Sequence, residues 1–458
     1  MNVPPNPQPT RLTSIDALRG LVMFMMIFVN DLAGAGRTVP DWMVHFSDRH
    51  PKGSGMTFVD LVFPAFLFIV GMSIPLALGG RLAKAEPVWK TLAHVAVRTL
   101  SLLFIGILMV HETPDTAALG WSGNWWCVLM YLSAIAAFCS FSTPGSAVES
   151  NRKHWQIVGW CVRAIGLISL VLLAFAFRDA DGQRIITLIP FSLRTSWYGI
   201  LGLIGWAYLV AALVFLVFRT NRTAILGCMV LLMCLFIADR KGLFEGFWLN
   251  GIVGIGSTLG SLPAIAVCGL LLGSMLTASE STSREASLVR VREGTMNRGG
   301  DMSSPDAPVA GLEAVGTSGH PNSRRARTSF TFWLVIGCAA AALLLNRSFG
   351  ISKNSATPSW CLWSCAVTAS LWYVFYLICE VHPVRFISRP LALAGQNVLL
   401  AYLISEMLPG LLDALHLGEG YGRMAMNLPT AITRSVLCGV VILFVSTWLN
   451  RIGFRLKL

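Results

Sequence analysis

The chain has 458 residues, of which 55% are hydrophobic and 13% charged, and its mean hydropathy is +0.65. Soluble globular chains carry about 25% charged residues, so this composition cannot cover a water-facing surface; it excludes a soluble enzyme, a disordered chain and a nucleic-acid-binding domain. The excess of 35 Lys and Arg over 23 Asp and Glu, a net charge of +12, is therefore read through membrane topology before any polyanion is invoked.

A membrane helix needs roughly 20 mostly apolar residues. Apolar runs predict twelve spans, at 16–35, 58–79, 91–110, 123–141, 156–177, 197–218, 223–238, 259–278, 330–346, 360–380, 390–411 and 431–450. The seventh and ninth are short, so the count lies between ten and twelve. Within the first span the run Leu21 to Val29, with Arg11 and Arg19 before it and Ala33-Gly34-Ala35 after it, has the outline of a signal peptide. Asp16, Arg19, Asn30 and Asp31 sit in or beside it, and a second span follows without a soluble domain; it reads as an uncleaved helix. Alternating the spans from a cytoplasmic N-terminus puts 23 of the 35 Lys and Arg on the inner side, so both termini are expected inside. Residues 279–328, rich in Ser, Gly, Arg and Pro, read as a disordered cytoplasmic linker. The expected organisation is thus 1–278 with spans one to eight, the linker 279–328, and 329–458 with spans nine to twelve. The fold class is an all-α polytopic membrane protein.

The eleven Cys lie in or at the ends of apolar spans. Cys361 and Cys365 are spaced for neither a zinc knuckle nor a redox CxxC and read as small packing residues, and no metal is expected. There is no P-loop, no GxGxxG at a strand–helix junction and no HExxH.

The chemistry-bearing candidates are the polar residues that a bilayer makes costly, at roughly 2.5–3.5 kcal/mol for a charge at its centre. In Arg11-Leu-Thr-Ser-Ile-Asp16-Ala-Leu-Arg19-Gly, Asp16 and Arg19 share a helical face and can pair. The motif is either a local salt bridge at an interfacial helix start or an anion-facing Arg19 at the cytoplasmic mouth. Asn30-Asp31 closes the first span. A loop follows with Asp48-Arg49-His50-Pro-Lys52, and Asp60 and Pro64 open the second span, where Pro64 lets the helix bend. Asn30, His50 and Asp60 are expected to converge on one outer rim. An imidazole beside a carboxylate can hold a general base, although a loop His can also be merely solvated. Arg98 lies inside the third span, either facing a ligand or snorkelling to the interface. Asn397 and Glu406 sit on opposite faces of the eleventh.

The segment from Arg11 to Gly71, with its Leu-Thr-Ser-Ile-Asp-Ala-Leu-Arg-Gly start, Phe-Val-Asn30, a His ten residues before Asp60, and Asp-Leu-Val-Phe-Pro, resembles the heparan-α-glucosaminide N-acetyltransferase family, in particular its bacterial branch. Weaker matches are Ser261-Leu-Pro-Ala-Ile-Ala, Ser352-Lys353-Asn354, Gly395-Gln-Asn397-Val-Leu-Leu-Ala-Tyr402 with Glu406, and Trp197 to Tyr208. The resemblance implies an acyltransferase that moves an acetyl group from cytosolic acetyl-CoA, as co-substrate, to an amino sugar or glycan across a cell (inner) membrane. It puts His50 on the family's catalytic histidine, as general base or acyl carrier, and Asn30 on its active-site asparagine, within a catalytic loop 36–57. His45 does not match the motif. Asp60 would orient His50. Arg19, Arg98 and Asn397 would serve the donor side, and Glu406, Lys353 and Asn354 the acceptor. The partners implied are acetyl-CoA, the acceptor and the lipid bilayer, with a homodimer left open. Departures from the family, including two extra spans and a different outer loop at 239–256, leave a cell-wall or recycled amino sugar as the favoured acceptor. The competing class is a secondary transporter of a small polar or sugar-like solute, although the eight-and-four division shows no matching halves.

Overall fold

The computed structural model describes residues 12–84, 86–141, 149–189, 191–277 and 321–456. The protein is built from helices in chain order: α1 (Thr13–Ala33), α2 (Val62–Ala83), α3 (Val88–Val110), α4 (Gly123–Phe138), α5 (Glu149–Ala176), α6 (Ile200–Phe218), α7 (Arg222–Arg240), α8 (Ser257–Thr277), α9 (Pro321–Phe349), α10 (Pro358–Tyr376), α11 (Arg385–Ala394), α12 (Val398–Ala414) and α13 (Leu428–Arg451). Among the described residues nine helices are long and apolar enough to cross a membrane, and α11 with α12, bent by 70° at their junction, make a tenth. The remaining two expected spans also coincide with helices, α1 of 21 residues and α4 of 16. The chain is an all-α, multi-pass membrane protein. Its only described strands are short antiparallel pairs, β1 (Cys139–Phe141) with β4 (Phe454–Leu456), and β2 (Ile186–Leu188) with β3 (Phe191–Leu193).

Two sequence expectations shift locally. The residues of the expected linker from Pro321 onward already form the first turns of α9; the rest of that segment lies outside the described residues. Pro64 falls in the first turn of α2, where a missing N–H leaves no hydrogen bond unmade, so it starts the helix rather than bending it. The proline in the interior of α2 is Pro75.

Helix α8 is almost wholly enclosed by protein. Lipid gives no hydrophobic drive for helix association, so close backbone approach must supply it. Gly269-Leu-Leu-Leu-Gly273 does so against α2: a Cβ at either glycine would collide with the carbonyl of Phe68 or Met72, and one at Gly71 with that of Ala266. The same device joins the two ends of the sequence. Gly20 of α1 and Gly395 at the α11–α12 break face the backbone carbonyls of Leu391 and Asp16. Helix α1 also packs on α2, α10 and α13, so it is the common wall of the bundle. The largest fully buried side chains include Trp126, Trp360, Trp372, Tyr131 and Phe68.

Candidate active site

Two groups of polar residues lie at opposite ends of α1. At its N-terminal end a cavity of about 560 Å³ opens between α1, α2, α3, α6 and α12. Its lining carries Arg19, Arg81, His94 and Arg98, then turns apolar through Ile69, Ile74, Leu102 and Ile204 to Met26, Phe66 and Tyr402. Arg19 is held by Asp16 at 2.9 Å, by Ser73 Oγ at 2.8 Å and by the Gly395 carbonyl at 3.4 Å. The expected local pair therefore forms, and Arg19 still lines the cavity. The Arg98 guanidinium lies over the Tyr208 ring, 4.5 Å from its centroid, and its buried Nε has no hydrogen-bond partner. Arg98 lines the cavity. Asn397 also lines the cavity, but its side chain is spent on the C-terminal strand: Nδ2 donates to the Phe454 carbonyl at 3.3 Å and Oδ1 accepts from the Leu456 amide at 3.2 Å. Asn397 thus anchors β4, and Leu456, at the edge of the cavity.

The other group is built on the loop between α1 and α2. Asp60, 1% exposed, sits in a 3₁₀ turn just before α2. Its Oδ2 accepts from the amides of Phe46 at 3.1 Å and Thr57 at 3.0 Å, and its Oδ1 meets His45 Nδ1 at 2.8 Å. The carboxylate–imidazole pair expected at His50 therefore forms at His45. The reason is local: a one-turn helix, Phe46–Arg49, begins at His45, and the Phe46 amide at its start fixes the carboxylate beside residue 45. His50 caps the other end of that turn, exposed, with its ring against Phe46 at 4.9 Å and no hydrogen bond to the ring among the described residues.

The loop 350–357 supplies the third member of this group. It is sewn to the first loop by Gly55 N–H donating to the Ile351 carbonyl at 3.0 Å and Ile351 N–H to Ser54 Oγ at 2.8 Å. Ser261, at the start of α8, donates to the Ala356 carbonyl at 2.7 Å from below. Lys353 Nζ is thereby set 3.1 Å from both ring nitrogens of His45. Burial holds its ammonium below the usual lysine range, opposed by the nearby charges of Asp60 and Asp48. Asn354 is exposed. With Nδ1–H committed to Asp60, the basic atom of His45 is Nε2, and the ring remains 30% exposed.

Asn30, at the end of α1, is exposed and donates from Nδ2 to Glu406 Oε1 at 2.9 Å. Glu406 is near the carboxylate of Glu112, which itself accepts from Tyr131 Oη at 2.8 Å. Burial raises Glu112 above the ordinary carboxylate range, and the Tyr131 hydrogen bond opposes that rise. Glu112 with Tyr131, 19 residues apart, and His45 with Asp60, 15 apart, escape the sequence reading because each pair is set by the path of a loop that only the fold fixes. Arg81 and His94 escape it too, since only the fold turns them onto one cavity.

The cavity and the Asn30–Glu406 pair are close neighbours. Met26 and Tyr402 line the cavity, and each is four residues, about one helical turn, before Asn30 and Glu406 respectively. From Arg19 to Asn30 is about 16 Å along α1. The arrangement is a basic mouth and an apolar shaft that ends within a helical turn of the Asn30–Glu406 pair, while the His45–Asp60–Lys353 group stands on the loops that follow α1 and α9. Among the described residues no group of three or more His, Cys, Asp or Glu is placed to hold a metal ion.

A family model described as a domain of unknown function, DUF5009, matches residues 11–247, about half of the chain. A stretch of 113 residues, 25% of the chain, is 34% identical to the heparan-alpha-glucosaminide N-acetyltransferase of Homo sapiens, and 111 residues are 33% identical to that of Mus musculus. The alignments span 16% of each of those proteins. A third similarity, 30% over 152 residues, is to a glycine betaine/proline/choline/ectoine transporter of Vibrio parahaemolyticus, covering 31% of this chain and 23% of the transporter.

Proposed function

We propose that this chain, which belongs to the DUF5009 family, is a transmembrane acyltransferase that takes an acetyl group from cytosolic acetyl-CoA and delivers it to an amino sugar or glycan on the far side of a bacterial inner membrane. One observation carries the reading: a single cavity with a cationic mouth at Arg19, Arg81 and Arg98 runs inward to within one helical turn of the Asn30–Glu406 pair. That shape suits a donor with phosphates at one end and a thioester at the tip of a long, mostly neutral arm. The N-acetyltransferase similarity supports the same reading.

In this proposal the phosphates sit against the cations and the arm lies in the shaft. His45 Nε2, with Asp60 fixing the opposite nitrogen, removes a proton from the acceptor nitrogen as that nitrogen attacks the thioester carbonyl carbon. The C–S bond breaks, the sulfur leaves with the electron pair, and the proton passes from the imidazole to give the CoA thiol. Asn30 has a second amide proton beyond the one on Glu406, and it meets the carbonyl oxygen as negative charge grows there. Lys353 and Glu406 flank the acceptor. The base proposed is thus His45, and His50 takes an outlying place on the loop.

The test is transfer from labelled acetyl-CoA to a panel of amino sugars by the purified protein in lipid nanodiscs. His45→Ala is expected to cut the rate by about 10²–10⁴-fold, and His50→Ala to leave it near wild type. The reverse pattern returns the base to His50. Absence of transfer to any acceptor, together with uptake of a betaine-like solute into vesicles, ends the acyltransferase reading in favour of the carrier that the third similarity suggests.

A further inference from the structure

Beside Asn30 lies a buried ion pair that the proposed reaction does not use. Asp31, in the last turn of α1, is 12% exposed, and its partner Arg434, in the second turn of α13, is 6% exposed. Arg434 Nε donates to Asp31 Oδ2 at 3.1 Å and Nη2 to the Asp31 backbone carbonyl at 2.8 Å. Nη1 donates to the Tyr421 carbonyl at 3.3 Å, and the guanidinium lies 4.6 Å from the Tyr421 ring centroid. Tyr421 Oη and Ser435 Oγ each donate to the Asp31 carboxylate at 2.6 Å. One guanidinium therefore grips both the side chain and the backbone of residue 31, and through Tyr421 the short helix Gly418–Arg423 as well.

A buried ion pair is weak evidence of stabilisation, since taking two charges out of water is costly and apolar residues of like volume do as well. What such a pair does supply is a fixed geometry, because a planar fork satisfies its acceptors in one orientation only. Here the carbonyl it fixes belongs to the peptide that follows Asn30 by one residue. The turn that bears Asn30 is the end of α1: its last turn holds no basic residue, and the Gly34 and Ala35 amides cap the Asp31 and Leu32 carbonyls, so Arg434 is the charged group that ties this turn to α13.

We infer that Arg434 is a positioning residue: by clamping the last turn of α1 through Asp31 it sets the direction of the Asn30 amide toward Glu406 and toward the reacting carbonyl. The inference rests on the proposed function for its chemical consequence, while its geometric content is independent of any activity. A misplacement of about 1 Å at a group far from the chemistry can cost about 10²-fold in rate.

The experiment uses the full chain in nanodiscs with two readouts. In the first, Asn30→Cys is labelled with a membrane-impermeant maleimide, with and without Arg434→Lys, against the parent chain carrying only its own cysteines. Lysine keeps the charge and loses the fork, so the labelling rate at position 30 is expected to change by about tenfold or more, while labelling of a cysteine placed at exposed Asp48 stays constant. In the second, Arg434→Lys is expected to lower kcat by about 10²-fold with KM for acetyl-CoA unchanged. Should Arg434→Lys not fold, the exchanged pair Asp31→Arg with Arg434→Asp and the single variant Tyr421→Phe carry the same two measurements. An unchanged labelling rate at position 30 in the folded variant overturns the clamp, whatever the activity. A changed labelling rate in a protein that transfers no acetyl group upholds the clamp and ends the acyltransferase reading instead. A change in labelling with kcat unchanged and a raised KM overturns the catalytic consequence and makes the pair a support of the fold alone.

Discussion

Asp60 shows how one buried carboxylate can organise a loop and a base together. Its two oxygens accept from two backbone amides and one imidazole, and removing one partner from such a set leaves the others unpaired in a place water does not reach. Asp60→Asn can accept on one atom only. It is expected to lower the transfer rate by at least the 10²-fold typical of a misplaced general base, about 10²–10⁴, and kcat measured on folded protein checks this. Glu112 gives a prediction free of any reaction. Its folded pKa lies above the ordinary 4.5, so the folded state holds a proton that the unfolded chain has lost. That contribution to stability is complete below pH 4.5 and disappears as pH rises through the folded value. Glu112→Gln should therefore flatten the fall in melting temperature expected above pH 4.5, a comparison that thermal unfolding in detergent makes directly. At this scale the sequence was only partly legible. The spacing of ten residues drew attention to His50 because spacing ignores the backbone. The turn at Phe46–Arg49 and the Phe46 amide, which hand the carboxylate to His45, are invisible until the loop is folded.

At the scale of elements, hydropathy did most of the work, because bilayer thickness alone sets how long an apolar run must be. Each of the twelve expected spans meets a helix, and the two that looked short, at 223–238 and 330–346, lie in α7 and α9, which are longer than their apolar cores. The sharp break between α11 and α12 was not legible. Gly395-Gln-Asn397 lies inside an apolar run, and the 70° bend falls where the backbone of α1 passes against Gly395. The glycine seams separate essential from incidental glycines. Gly269→Val on α8 would drive a side chain into the Phe68 carbonyl, and overpacking of this kind typically costs 1–3 kcal/mol or more; the variant is expected to lose folded protein on size exclusion. Gly227 and Gly337 meet nothing within 4 Å, so alanine at either should leave the yield and the melting temperature unchanged.

At the scale of the whole molecule, the donor end is tested through affinity. Arg98 stacks on Tyr208 with one N–H unpartnered and faces the cavity, so Arg98→Ala is expected to raise KM for acetyl-CoA about tenfold, the loss of a charge-assisted contact of roughly 1.5 kcal/mol, with a smaller effect on kcat; steady-state kinetics separates the two. The charge bias that suggests cytoplasmic termini predicts that a cysteine at exposed Lys52 reacts with impermeant maleimide from outside intact cells, and one at Lys84 does not.

The seam between α1 and the C-terminal helices bears on how far the bundle can move. Its two flanks meet backbone to backbone where Gly20 crosses Gly395, and they are pinned at one end by Arg19 to the Gly395 carbonyl and at the other by Asn30 to Glu406 and Arg434 to Asp31. A carrier that rocked its early and late helices apart along this line would have to unfasten both ends on every cycle. A scaffold that stays shut and lets only a slender flexible tether slip past its wall keeps all of them, and needs no alternation at all.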